Sequence, residues 1–124
     1  MIKKIFITLF LLVCIPANAV EKKTNFTIET LEKAKASGKT IVINSYEVWC
    51  GTCTAQTKVL DQAEKDFKEI IFLSYEQSKN KDIAKMLGIK HWTTIVVYKG
   101  NNEVSRIIGQ TKKETIYSAI KEGI

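Results

Sequence analysis

Four short runs of β-branched and apolar residues constrain this chain more than any other feature. They are "TIVINSY" at 40–46, "IIFLSY" at 70–75, "TTIVVYK" at 93–99 and "EVSRIIG" at 103–109. Such runs, bounded by turn residues, read as buried strands. Between them the pattern turns helical. Residues 26–37 have Thr27 as an N-cap, Phe26 and Leu31 as a hydrophobic staple, and Gly38 as a stop. From Cys50 onward Val59, Leu60, Ala63 and Phe67 share one helical face. Residues 81–87 make a short helix that Gly88 ends. Gly100-Asn101-Asn102 marks a three-residue hairpin loop between the last two strands. Thr111 and Glu114 form a capping box for a final helix that turns Ile116 and Ile120 inward. The order α-β-α-β-α-β-β-α implies right-handed parallel crossovers and an antiparallel closing hairpin. The fold class is therefore α/β, a mixed four-stranded sheet with helices on both faces.

The N-terminus reads differently. Lys3 and Lys4 precede an apolar run at 5–15, and Ala17-Asn18-Ala19 follows it. A basic n-region, a short h-region and an A-x-A ending describe a secretory signal peptide. The run is shorter than the ~20 apolar residues a spanning helix needs. Cys14 would suit a lipid anchor, but bulky Val13 stands where a small residue is usual. The expected division is a signal peptide at 1–19, cut after Ala19, and one small domain at 20–124. Losing two lysines takes the net charge from +6 to +4. The remaining lysines are interleaved with acids, and no basic stripe or aromatic platform points to nucleic acid. Export, here to a bacterial periplasm, meets an environment that permits disulfides.

"VWCGTC" places Cys50 and Cys53 where a strand ends and a helix begins. Unpaired N–H groups and the macrodipole at that end favour an anion. Helix N-termini and C-x-x-C spacing both lower a thiol pKa, and the thiolate is the form that attacks. One helical turn brings Cys53 within disulfide reach of Cys50 and buries it more deeply. The chemistry that follows is thiol–disulfide exchange, with Cys50 as nucleophile and Cys53 as resolving thiol. Two bland readings compete. A structural disulfide would close too short a loop to stabilise much. A structural metal needs about four ligands, and His91 is the single histidine to join the two cysteines. No metal and no separate cofactor are expected beyond the Cys50–Cys53 redox pair.

"VWCGTC" resembles the thioredoxin active-site motif Trp-Cys-Gly-Pro-Cys, and "KDIAKMLGIKHWTTIVVYKGNNEV" resembles the thioredoxin stretch in which a helix ends in Gly-Ile before a strand and hairpin. The likeness runs through nearly all of residues 24–122. It implies a thioredoxin-like fold and disulfide exchange with protein substrates. Trp49 matches the family's aromatic flanking the site, and Gly51 and Thr52 occupy the dipeptide that tunes potential. Three departures qualify the likeness. Thr52 replaces the proline between the cysteines, restoring an N–H and adding a hydroxyl near the thiolate.

Thr93 occupies the family's cis-proline position facing the cysteines, and the single proline of the chain is Pro16. A non-proline cis bond costs about 2.5–4 kcal/mol, so the Trp92–Thr93 bond is either trans or held cis by costly packing. This loop pairs with substrate backbone in the family and shields the thiols from metals. Thr93 therefore puts substrate docking in question and leaves room for stray metal or Fe–S binding, with His91 on the same loop. Trp92 offers an apolar substrate contact there. Finally, Asn44 stands where thioredoxins carry a buried aspartate that helps deprotonate the resolving thiol. Glu47 is a conceivable substitute base, with a surface role as its plainer reading, and Tyr46 reads as core or rim.

The leading expectation is an exported thiol–disulfide oxidoreductase, with the reducing direction favoured. The family's oxidants and isomerases usually carry a different dipeptide and an added helical or dimerisation domain. Its partners would be disulfide-containing proteins and a membrane thiol electron donor, and the protein itself a monomer. The alternative is a thioredoxin-fold carrier of metal or thiols in assembly, without fast turnover.

Overall fold

The computed structural model describes residues 26–124, so the signal-peptide reading of 1–19 lies outside the described residues. In chain order the elements are α1 (Ile28–Ala36), β1 (Thr40–Tyr46), α2 (Gly51–Asp66), β2 (Ile71–Glu76), a 3-10 turn (Gln77–Lys79), α3 (Lys81–Leu87), β3 (Thr94–Lys99), β4 (Asn102–Ile108) and α4 (Lys113–Lys121). The strands form one sheet in the order β2-β1-β3-β4.

Strand periodicity sends alternate side chains to opposite faces, and each face receives two helices. On one face Ile41, Ile43, Leu73, Tyr75, Val96 and Tyr98 pack with residues of α1 and α3. On the other, Val42, Phe72, Ile95 and Val97 pack with Leu60 and Ala63 of α2 and Ile116 and Ile120 of α4. Truncating a fully enclosed residue such as Ile95 would cost about 2–5 kcal/mol through lost burial and the cavity left behind.

The caps explain where the helices stop and start. Thr27 caps α1 as expected; its hydroxyl accepts from Thr30 N–H, and Thr30 answers to the Thr27 N–H. Gly88 ends α3 at φ +65°, a conformation glycine adopts without a Cβ penalty. Arg106 of β4 then donates to the carbonyls of Leu87 and Gly88 at 2.8 and 3.1 Å, tying the end of α3 to the sheet. The expected capping box of α4 does not form. Lys112 is the N-cap and makes no side-chain cap bond, because the helix begins one residue too late for Thr111 and Glu114 to face each other. The hairpin loop is likewise shorter than expected: Lys99 pairs with Asn102, leaving Gly100 and Asn101 between the strands.

One strand runs against expectation. β1 and β2 are parallel, as their helical crossover requires, but β3 is antiparallel to β1. Seven-residue α3 spans only about 10 Å, roughly half the length of a six-residue strand. It cannot return the chain to the far end of the sheet. β3 therefore enters from the end where β1 and β2 finish, bringing residues 91–93 beside the loop that follows β1.

Candidate active site

β1 ends at Tyr46, and a turn closed by Cys50 N–H donating to the Glu47 carbonyl leads into α2. Cys50 is the N-cap of α2, in extended conformation, and its Sγ accepts from Cys53 N–H at 3.1 Å. Helix and sulfur are thus arranged so that an otherwise unpaired N–H of the first turn faces Sγ. Cys50 and Cys53 are joined as a disulfide, with Cα atoms 5.2 Å apart. Both are buried, Cys53 at 2% exposure and Cys50 at 7%, and Tyr46 packs against them. The donor to Cys50 Sγ belongs to Cys53, while Thr52 and Gly51 lie exposed in the first turn.

The mouth around the disulfide is apolar. Val48 and Trp49 are about 70% exposed, and Trp92 at 40% meets Trp49 edge to face with ring centroids 5.1 Å apart. Lys81, Lys85, Lys90 and Ile89 line a groove beside Trp92, together with Glu47, Gln77 and Ser78. Glu47 is not a surface residue. It is 4% exposed, and its carboxylate accepts the Ser78 N–H at 2.6 Å and the Ser78 hydroxyl at 3.0 Å. That pair of bonds fastens the end of β1 to the turn after β2, a structural duty for both carboxylate oxygens.

Thr93 is held, but not as a cis residue. No cis peptide bond occurs among the described residues, so Trp92–Thr93 is trans, and Thr93 instead takes φ +71°. A β-branched residue in the left-handed region costs of order 1–3 kcal/mol and persists only where its surroundings over-determine it. Here they do. Thr93 N–H donates to the Ser45 carbonyl at 2.9 Å, and its own carbonyl accepts from Gly109 N–H at 3.0 Å and Gln56 Nε2 at 2.9 Å. The His91 carbonyl accepts from the Ser45 and Thr94 hydroxyls, while the His91 side chain is exposed. Among the described residues no three His, Cys, Asp or Glu side chains gather as a metal-binding group.

Asn44 lies in β1 on the face covered by α2, paired in register with Ile95. It is 1% exposed, and neither atom of its amide has a hydrogen-bond partner among the described residues. An amide there cannot take a proton from a thiol. Gln56 is the contact that the sequence reading passes over. The available signal is a polar residue three positions after Cys53, on the stripe of α2 that continues to Leu60.

A buried disulfide with C-x-x-C spacing at a helix N-terminus, between an exposed tryptophan and a strained opposing loop, defines a dithiol–disulfide exchange protein on an α/β scaffold. The chain belongs to the thioredoxin family: the Thioredoxin family model matches residues 18–122. It is a thiol–disulfide oxidoreductase. An H-type thioredoxin of Fagopyrum esculentum is 34% identical over 89 residues, covering 72% of this chain and 77% of that one. Thioredoxin-2 of Saccharomyces cerevisiae is 27% identical over 94 residues, covering 75% and 86%. The fold agrees with solved structures. Trxlp from Edwardsiella tarda superposes with a TM-score of 0.73 at 20% identity, covering 75% of this chain and 92% of that one. Fasciola hepatica thioredoxin gives 0.69 at 22% identity, covering 77% and 89%.

Proposed function

We propose that this oxidoreductase is exported to a bacterial periplasm and reduces disulfides in protein substrates, with Cys50 as nucleophile and Cys53 as resolving thiol. The observation that carries the reading is the seat of Cys50 Sγ at the N-terminus of α2, accepting from Cys53 N–H. Negative charge developing on that sulfur is favoured by the helix end. The Cys50 thiolate attacks a substrate disulfide, forming one mixed S–S bond and releasing one substrate thiolate. Cys53 then gives up its proton and attacks the Cys50 sulfur. The second substrate thiolate leaves, the enzyme pair is oxidised by two electrons, and the substrate disulfide is reduced by two. The redox pair needs no added cofactor, and Gly51 and Thr52 in the first turn tune its potential. A membrane thiol electron donor must return two electrons and two protons to the pair in an oxidising compartment.

The exposed Val48, Trp49 and Trp92 rim supports a protein rather than a small-molecule partner, and Thr93 presents the loop on which substrate backbone docks. Asn44 leaves Cys53 to pass its proton to water or to the departing thiolate. The basic n-region, apolar run and Ala17-Asn18-Ala19 ending support export of residues 20–124, which would act as a monomer.

Turbidimetric insulin reduction with dithiothreitol tests the activity. The wild type should accelerate it, Cys50→Ser should abolish the effect, and Cys53→Ser should accumulate a mixed disulfide. Acceleration that survives Cys50→Ser would end the assignment. Equilibration with glutathione tests direction, since a reductant lies near about −270 mV and an oxidant near about −120 mV. Recovery of secreted protein beginning at Val20 tests the leader.

A further inference from the structure

The side chain of Gln56 is fully enclosed, which is costly for an amide unless its hydrogen bonds are met. Its two amide hydrogens are both used. Nε2 donates to the carbonyl of Thr93 at 2.9 Å and to the carbonyl of Gln110 at 2.9 Å. Because both partners are acceptors only, the NH₂ group must face them, and the amide orientation is fixed by chemistry. Oε1 has no partner among the described residues, so the group is kept for what its donors do.

Those donors connect three pieces of chain. Gln56 sits on α2 one turn beyond Cys53, Thr93 opens β3 in the left-handed region, and Gln110 follows β4. The same Thr93 carbonyl also accepts from Gly109 N–H, and Thr93 N–H reaches Ser45 at the end of β1. Thr93 has no ring to set its φ, as a proline would. Its conformation is imposed from outside, and among the described residues Gln56 is the side chain that reaches its carbonyl.

We propose that Gln56 is a positioning residue: its buried amide holds Thr93 left-handed and so fixes the substrate-facing loop against the helix bearing both cysteines. This rests on the reading of residues 91–93 as the loop that receives protein substrates. A protein disulfide must dock on that loop before exchange, whereas a small aromatic disulfide needs only access to Cys50. Loss of the clamp therefore separates the two reactions.

Gln56→Met tests it, keeping the side-chain length while removing donors and orphan acceptor together. The variant should keep its cooperative thermal transition. Its KM for insulin should rise about tenfold with kcat little changed, a loss of about 1.4 kcal/mol in kcat/KM. The reaction of its reduced form with dithionitrobenzoate should stay within about twofold of wild type. The Thr93 amide, followed by hydrogen exchange, should exchange about tenfold faster. Adding Thr93→Asn, a residue that tolerates the left-handed region, should recover most of the KM.

An unchanged KM and unchanged Thr93 exchange in folded Gln56→Met would overturn the proposal. So would equal losses on insulin and dithionitrobenzoate, which would mark a general effect on the fold or the cysteines. If Gln56→Met does not fold, Gln56→Leu, which removes both donors and extends the apolar stripe toward Leu60, takes its place in the same assays. A wild type inert toward insulin would refute the substrate reading; slow Thr93 exchange in wild type and fast exchange in Gln56→Met would still support the clamp, and its absence would sink it.

Discussion

Replacing Asn44 with leucine should make the protein more stable. The side chain is 1% exposed, with both amide atoms unpaired among the described residues. A buried polar group left without a partner costs about 1–3 kcal/mol. Leucine keeps the branched four-atom shape, removes that cost and adds apolar contact with a face already formed by Val42, Ile95 and Leu60, while its two methyls take more room than the amide. Set against the strain of fitting the bulkier side chain, the net gain is about 1 kcal/mol, which raises Tm by roughly 4–8 °C in a domain of this size. Thermal melting of the oxidised protein, paired with urea unfolding, reads it directly. A Tm equal to or below wild type would refute the premise that this amide is unsatisfied. Asn44→Asp asks the complementary question. Burial raises a carboxyl pKa by up to about 3–5 units, so the folded state binds the proton more tightly than the unfolded chain. The penalty is absent below about pH 4, grows as pH rises toward the folded pKa, and for a three-unit shift reaches about 4 kcal/mol by pH 7. In exchange Cys53 gains a proton acceptor, and reduction of a test disulfide should quicken. An unchanged rate would remove position 44 from proton handling.

Three further outcomes follow from the coordinates. Gly123→Ala would set a Cβ 2.6 Å from Thr40 Cγ2 and 2.9 Å from Val97 Cγ1, so it should destabilise by about 1–3 kcal/mol in urea titration. Trp92→Ala should raise KM for insulin severalfold, with little change toward dithionitrobenzoate, since it removes one half of the exposed tryptophan pair. Burial pushes the phenols of Tyr75 and Tyr117 up to about 12, with the hydrogen bond to Asp66 adding to the shift at Tyr117. The folded state holds these protons where the unfolded chain has lost them, so stability is full below about pH 10 and is lost as pH rises through about 12. Absorbance titration at 295 nm should find these two tyrosines still protonated at pH 11, and full ionisation there in native protein would contradict their placement.

The helices and strands were legible because each carries its own periodicity: Leu60, Ile116 and Ile120 point inward where the spacing put them. Cys50 at the start of α2 was legible too, from an apolar run ending just before a helical pattern. What local patterning could not carry was the direction of β3, which depends on how far α3 reaches, or the pairing of Gln56 with Thr93, 37 residues apart. Glu47 read as surface because its type usually is; its burial depends on Ser78, a partner brought close only by the parallel pairing of β1 and β2. At Thr93 the resemblance located the loop, but its left-handed backbone follows from contacts with β1, α2 and the end of β4.

The facing indoles of Trp49 and Trp92 also give the molecule an optical handle on its own redox state. The chain contains just these two tryptophans, and they stand edge to face beside Cys50. An excited indole loses its energy readily to a neighbouring disulfide, so all of the protein's tryptophan emission originates where electrons enter and leave. Reduction should brighten it without any label, letting a stopped-flow trace follow the pair in real time.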